Sequence, residues 1–344
     1  MSSRRKPSRS PLQPGLFDNL DNFVERQDSG FEFIPSGRME EIARMHAGRN
    51  DSAIDDMAPL EVSDELFFMS FGSGSSGNCS YLGDRRGGFL IDAGVDAKNV
   101  TASLTRNGID MKNVGGIILT HDHHDHISQA YALLRANRHM RLYCTPKAFN
   151  GILRRHSVSR RIKDYHTPVY KEFTFRIGAF DITPFEVMHD GADNAGFFIT
   201  HGSRTVAIAT DLGCISPRVD HYMRQAETIV IEANYDLQML VSGSYPEHLK
   251  ARIKAANGHM DNSETAAFLA AIHTDRLRNI FLCHLSHDNN TPSRAYRAVT
   301  DALAGIGVTR IGDLLSLPAD SSSLAPQINV IPLPRYESTH LYTL

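Results

Sequence analysis

Thr120-His121-Asp122-His123-His124-Asp125-His126 decides the reading of this chain, and it follows directly on the uncharged run Gly116-Ile117-Ile118-Leu119. A strand ending there delivers a histidine-rich turn to a sheet edge. In extended chain alternate side chains share a face, so His121 and His123 reach one metal together. Asp125 and His126 follow on the turn and reach a second. Neutral imidazole and carboxylate suit zinc, manganese or iron. A surface cluster without metal is the weaker explanation, because four ligand-type residues share one H-x-H-x-D-H spacing. His124 falls off that spacing and takes no role. With 17 histidines in the chain, most of the others are expected to be ordinary.

Outward from the motif, short apolar runs alternate with Gly/Ser/Asn loops and helix-like segments from Leu66 onward. Strands are expected at Leu66–Phe71, Phe89–Asp92, Gly116–Thr120, Arg141–Cys144, Phe180–Val187, Gly196–Thr200, Thr205–Thr210, Thr228–Glu232 and Asn279–Cys283. Helices are expected at Ala97–Asn107, Gln129–Asn137, Pro217–Ala226, Pro246–Ala256, Ser263–Ile272 and Pro292–Leu303. Early strands in close succession imply antiparallel or mixed pairing, and later ones are separated by helices. Two sheets between two helix layers, an α/β αββα sandwich, satisfy this order. The tail Gln327–Leu333 partly alternates and is expected as an edge strand, since Pro332 and Pro334 are tolerated only at edges.

Residues 1–65 differ: a Ser/Arg/Pro start, weakly amphipathic pieces at Leu16–Phe23 and Met39–Met45, then the acidic Asp51–Asp56. They read as a mobile N-terminal extension or docking arm, with 66–344 as the catalytic domain including its tail. The chain is 41% hydrophobic with a formal net charge of -3, so nucleic-acid binding must be argued from local patches. Cys79, Cys144, Cys214 and Cys283 are widely spaced, which fits reduced thiols. No apolar h-region follows Arg4-Arg5-Lys6 and no run reaches membrane-span length. A cytoplasmic location is expected, with no membrane partner.

The histidine motif resembles the metallo-β-lactamase superfamily. In that family further ligands arrive at the ends of later strands. His189 ends Ile182–Met188, Asp211 ends Thr205–Thr210, and His284 ends Ile280–Cys283. The resemblance implies that His121, His123 and His189 hold one metal and that Asp125, His126 and His284 hold another. Asp211 would bridge them, with a hydroxide between two divalent ions, zinc first and manganese or iron as alternatives. Gly72-Ser73-Gly74-Ser75-Ser76-Gly77-Asn78, Leu90-Ile91-Asp92-Ala93-Gly94, Glu232-Ala233-Asn234-Tyr235-Asp236, Gly258-His259 and His284-Leu285-Ser286-His287-Asp288-Asn289-Asn290-Thr291-Pro292 narrow it further. Together they resemble the YycJ/WalJ (VicX) branch, which is related to the tRNase Z and RNase J nucleases. Two departures stand out: Met260-Asp261-Asn262 where Leu-Ser-Asn is expected, and the long N-terminal arm.

That branch implies a phosphodiesterase, specifically a 5′-to-3′ DNA exonuclease. Asp125, Glu232 and His259 are the catalytic candidates, the last two by similarity to the carboxylate–histidine pair of tRNase Z. The Gly72–Asn78 loop lacks the Lys-Ser/Thr of a P-loop, so Ser75 and Asn78 either line a phosphate path or sit in a plain turn. Ser286, Asn289 and Asn290 bind phosphate or cap the next helix. Arg154, Arg155, Arg160, Arg161 and Lys163 either meet a polyanion or form a solvated basic face. Two other functions stay open: a small-molecule hydrolase (thioesterase or cyclic phosphodiesterase) on the same site, and a non-catalytic adaptor recruited through the arm. Oligomeric state is not legible.

Overall fold

Strands β11 (Thr228–Glu232) and β12 (Asn279–Cys283) are buried along their whole length on both faces. A strand covered on both sides needs an apolar residue at nearly every position, and Thr-Ile-Val-Ile-Glu and Asn-Ile-Phe-Leu-Cys supply this. In the computed structural model, which describes residues 65–314 and 326–344, they sit at the centre of an eight-stranded sheet. Around them lie β7 (Phe175–Ile177), β8 (Phe180–Glu186), β9 (Ala195–His201), β10 (Arg204–Ala209), β13 (Ile311–Gly312) and β14 (Ile328–Pro332). Pairing is antiparallel from β7 to β10 and parallel from β10 through β11 and β12 to β14.

The second sheet has seven strands: β1 (Phe67–Gly72), β2 (Cys79–Gly83), β3 (Gly88–Ile91), β4 (Val114–Ile118), β5 (Arg141–Cys144), β6 (His166–Pro168) and β15 (Tyr342–Thr343). It too changes from antiparallel to parallel, at the β3–β4 pair. Side-chain alternation distributes each strand between two cores. Phe68, Phe89, Ile118, Val206, Val230 and Phe281 face the space between the sheets. Ile117 and Leu142 face an outer layer formed by helices Ala97–Arg106, Ala130–Ala136 and Pro146–Arg155. Ile229, Ile231 and Ile280 face the other outer layer, formed by Pro217–Met223, Asn262–Ile272 and Pro292–Gly305. The architecture is the αββα sandwich.

The sequence-based strands and helices all occur, with shifted ends. The strand expected to reach Thr120 stops at Ile118, because the Thr120 amide turns away to donate to Asp92 Oδ1 at 2.9 Å. The tail strand lies beside β12, and β13 pairs only with Ile328 and Asn329. The tail strand is therefore second from the edge rather than at it, but no described strand pairs with Val330–Pro332 on that side, where Pro332 is tolerated. Helix Pro146–Arg155 was not anticipated, although Thr145 caps it and Pro146 takes its first position. Strands β2, β6 and β7 were also missed; they are short, and β6 and β7 are only partly buried. The proposed N-terminal extension lies outside the described residues.

Phe281 is fully buried between the sheets, with ring centroids 4.5 Å from Phe68 and 5.3 Å from Tyr342. Phe281→Ala should lower stability by about 3–5 kcal/mol. Exposed Phe173, replaced by Ala, should change it by less than about 0.5 kcal/mol. Denaturant midpoints measure both, and equal small shifts would contradict this packing.

Candidate metal centre

Strand ends at one edge of the two sheets build the site. Asp92 follows β3, His121 and His123 follow β4, His189 follows β8, Asp211 follows β10, Glu232 ends β11 and His284 follows β12. The parallel pairing brings these ends together, since parallel strands finish at the same edge. After Thr120 the chain stays extended to His123, and His124–Ile127 forms one helical turn carrying Asp125 and His126. Glycine at 94 is obligatory, because a Cβ there would sit on the Asp125 carbonyl oxygen. Glycine at 151 is required too: helix Pro146–Arg155 presses against the Asp122 carboxylate at that point.

The potential donor atoms fall into overlapping groups. Atoms of His121, His123, His189 and Asp211 lie within 4.8 Å of one another, as do those of Asp125, His126 and His284. Asp211 stands between the groups. Its Oδ1 is 3.2 Å from His126 Nε2, and its Oδ2 is 3.5 Å from His189 Nε2 and from His284 Nδ1 and 3.9 Å from His121 Nε2. A third group joins Asp211 and His284 to Glu232 and His259. His121 Nε2, Asp211 Oδ1 and His284 Nε2 are buried and have no hydrogen-bond partner. Each such atom costs about 1–3 kcal/mol if left unsatisfied. A divalent cation satisfies imidazole and carboxylate donors of this kind, so the residues fit one.

Buried partners orient the rings. Asp92 Oδ2 accepts from His126 Nδ1 at 2.7 Å, and the Gly258 carbonyl accepts from His189 Nδ1 at 2.9 Å. Each bond fixes the tautomer and leaves Nε2 as the free lone pair. Thr120 Oγ1 lies 3.0 Å from His121 Nδ1 and donates to Asp92. Glu232 is wholly buried. Its Oε2 accepts from the Leu212 and Met260 amides, at 2.8 and 3.2 Å. Its Oε1 accepts from His259 Nδ1 at 2.7 Å and His284 Nδ1 at 2.8 Å. His284 has a positive φ of 53°, uncommon for a residue with a side chain, and Asp92 one of 59°. Both occur where the chain leaves a strand to enter the site.

Charge follows this layout. Burial, and then His126, hold His121 well below the ordinary imidazole range. Burial opposes protonation of His284, yet Asp211, Asp125 and Glu232 push it up to about 10. His126 rises in the same way, against burial, through Asp211 and Asp92. Burial works against ionising Asp211, but His284 and His126 hold its carboxyl well below the usual range. Burial also opposes charge on His259, and Glu232 raises it.

The remaining sequence candidates are distributed unevenly. Asn78 is buried, and its Nδ2 donates to Asp125 Oδ2 at 3.2 Å and lies 2.9 Å from His126 Nε2, so it positions the donor residues by hydrogen bonding. Ser75 is exposed at the loop tip. Ser286 Oγ accepts from the Asn289 amide at 3.2 Å, Asn289 itself is buried, and Thr291 is the cap of the following helix. Asn290 is enclosed too, donating to the Ala233 and Asn234 carbonyls. Arg155 Nη1 lies 3.4 Å from Asp122 Oδ2, so it supports the motif from behind. Arg154, Arg160 and Arg161 are exposed. Reasoning from sequence gave no role to Asp92, Thr120, Asp122 or Asp190. Asp190 Oδ1 stands 3.3 Å from His123 Nε2 and its Oδ2 holds Arg252. An acid directly after His189 was the available signal.

Asp92→Ala removes the acceptor that orients His126. Affinity for a divalent cation should fall about 10–100-fold. Competition with a chromogenic chelator reads this, and unchanged affinity would remove Asp92 from the site.

A family profile described as a β-lactamase superfamily domain matches residues 88–283. The exodeoxyribonuclease YycJ of Bacillus anthracis is 32% identical over 251 residues, covering 71% of this chain and 92% of that protein. The exodeoxyribonuclease WalJ of Streptococcus pneumoniae is 31% identical over 240 residues, covering 69% and 89%. Among solved structures, the metallo-β-lactamase fold protein YhfI from Bacillus subtilis aligns with a TM-score of 0.57 at 14% identity, over 80% of this chain and 99% of its own. Zinc-bound PqqB from Methylobacterium extorquens aligns at 0.54 and 14%, over 79% and 99%. At such identities these two likenesses speak for the fold alone. The chain belongs to the metallo-β-lactamase superfamily of hydrolases, and within it to the group of YycJ and WalJ.

Proposed function

We propose that this hydrolase cleaves phosphodiester bonds in nucleic acid, as a DNA exonuclease. One observation carries the reading: the His259–Glu232 pair stands beside the donor cluster without being needed to complete it. The names of the relatives support the same substrate. His121, His123, His189 and Asp211 would hold one divalent ion, and Asp125, His126, His284 and Asp211 a second, zinc first and manganese or iron as alternatives. Bound there, the two ions would supply Lewis acidity toward phosphate oxygens and lower the pKa of a water between them.

The protein's own contribution is proton delivery and positioning. Glu232 is fixed by two backbone amides, so its Oε1 cannot swing away from His259. It orients the ring through Nδ1 and favours the protonated form, leaving Nε2–H to be given to the departing oxygen. The ring centroid of His259 is 5.1 Å from that of His189 and 5.3 Å from that of His284, which keeps this proton next to the cluster. Exposed Arg154, Arg160 and Arg161 would add salt-dependent attraction to the polyanion. Four unpaired cysteines, three of them buried, support a cytoplasmic setting. No helix among the described residues is long and apolar enough to cross a membrane.

His259→Ala should keep both metals and lose about 10²–10⁴-fold in rate on a polynucleotide. The loss should be smaller on a nitrophenyl phosphodiester, whose leaving group needs no proton. Lost metal in the variant would make His259 a ligand. Equal losses on the two substrates would assign it to phosphate positioning instead.

A further inference from the structure

The turn that begins at His284 continues into a rim of aromatic rings. The His287 side chain is 67% exposed and Tyr336, from the C-terminal segment, 66% exposed. Their ring centroids are 6.5 Å apart at 64°. Asp288 fixes this rim by its edges: Oδ1 accepts from His287 Nδ1 at 2.8 Å, and Oδ2 from the Tyr245 hydroxyl at 2.7 Å. Tyr336 is anchored through its neighbour. Arg335 donates to the carbonyls of Leu285, at 2.8 Å, of Asn290, at 3.3 Å, and of Ser286. The guanidinium therefore rests on carbonyls of the His284 turn, and Asp288 is the carboxylate whose charge reaches it.

His287 is held by its ring edge, and the Tyr336 ring stands largely exposed. An open ring face beside a guanidinium held on backbone carbonyls matches a flat heterocycle carried on an anionic chain. A folded protein partner would call for a continuous apolar patch, and this rim is instead interrupted by Asp288 and Arg335. We propose that the exposed face of Tyr336, with His287 packed edge-on beside it, stacks on an unpaired base of a single-stranded polynucleotide, next to the diester that is cut. The proposal rests on the phosphodiester reading above. Bases inside a duplex are already stacked, so the platform would select unpaired ends.

The test uses full-length, metal-loaded protein and short single strands of DNA and of RNA with phosphorothioate linkages, with binding read by fluorescence anisotropy. Tyr336→Ala and His287→Ala should each weaken binding about 5- to 150-fold. Tyr336→Phe should stay within about twofold, since it keeps the ring face. An abasic position near the cut site should weaken binding to the original protein by a similar factor, yet cost Tyr336→Ala nothing further. Metal content and melting temperature are followed in each variant. Original protein that is indifferent to base removal at every position would overturn the platform, as would an alanine variant with full metal content and unchanged affinity. Protein that cleaves the strands yet ignores these changes loses only the platform. Protein that neither binds nor cleaves DNA or RNA loses the phosphodiester reading as well.

Discussion

Asp211 is a carboxylate with almost no access to water, and four imidazoles stand within 3.9 Å of its oxygens. An ionised carboxylate in such a place is costly unless positive charge meets it. The rest of the site answers that demand. Glu232 and Asp92 add further buried carboxyls, and each is pinned by backbone amides or by the Thr120 hydroxyl. Asp92 and the Gly258 carbonyl turn His126 and His189 so that their Nε2 atoms approach Asp211, while Glu232 holds His284 through Nδ1 and leaves its Nε2 beside Asp125. The surrounding carboxylates, Asp211 first, push His126 and His284 up against the effect of burial, whereas burial holds His121 down.

The scaffold makes this concentration of charge possible by separating it from the cores. The apolar parts of β10, β11 and β12 fill the space between the sheets and the space under the outer helices. Polar residues begin where the strands stop. The C-terminal segment then closes the edge: β15 pairs with β1, the Ser73 amide donates to the Pro334 carbonyl, and Arg335 holds the His284 turn. Ser73 Oγ accepts from the His284 amide at 2.9 Å, tying the glycine-rich loop to the same turn. The segment from Leu333 to Tyr336 therefore serves the site, although it lies some 50 residues beyond the last donor in the chain.

The fold and the clustering of the candidate donors were legible because they leave one-dimensional marks. An uncharged run followed by His or Asp marks a strand end facing a site, as at His121, His189, Asp211 and His284. The orienting layer was less legible, because a hydrogen bond between Asp92 and His126 leaves no spacing in the sequence. Asp92 could be quoted as part of a motif without its purpose being visible. The same holds for Asn78 and Asn289, whose sequence context suggested a phosphate path, a turn or a helix cap and which are enclosed. Arg155 looked like one of five equivalent cations, and only the packing of helix Pro146–Arg155 against Asp122 distinguishes it. That helix is marked in the sequence only by Thr145-Pro146, a cap followed by proline.

Asp211 stands where two cations would share it. Elemental analysis of purified full-length protein, with and without metal supplementation, measures that sharing directly when paired with Asp211→Ala. The account predicts two equivalents of divalent metal per chain at saturation and loss of metal as well as activity in the variant. A ceiling of one equivalent under every condition, or a variant that still retains two, would contradict it.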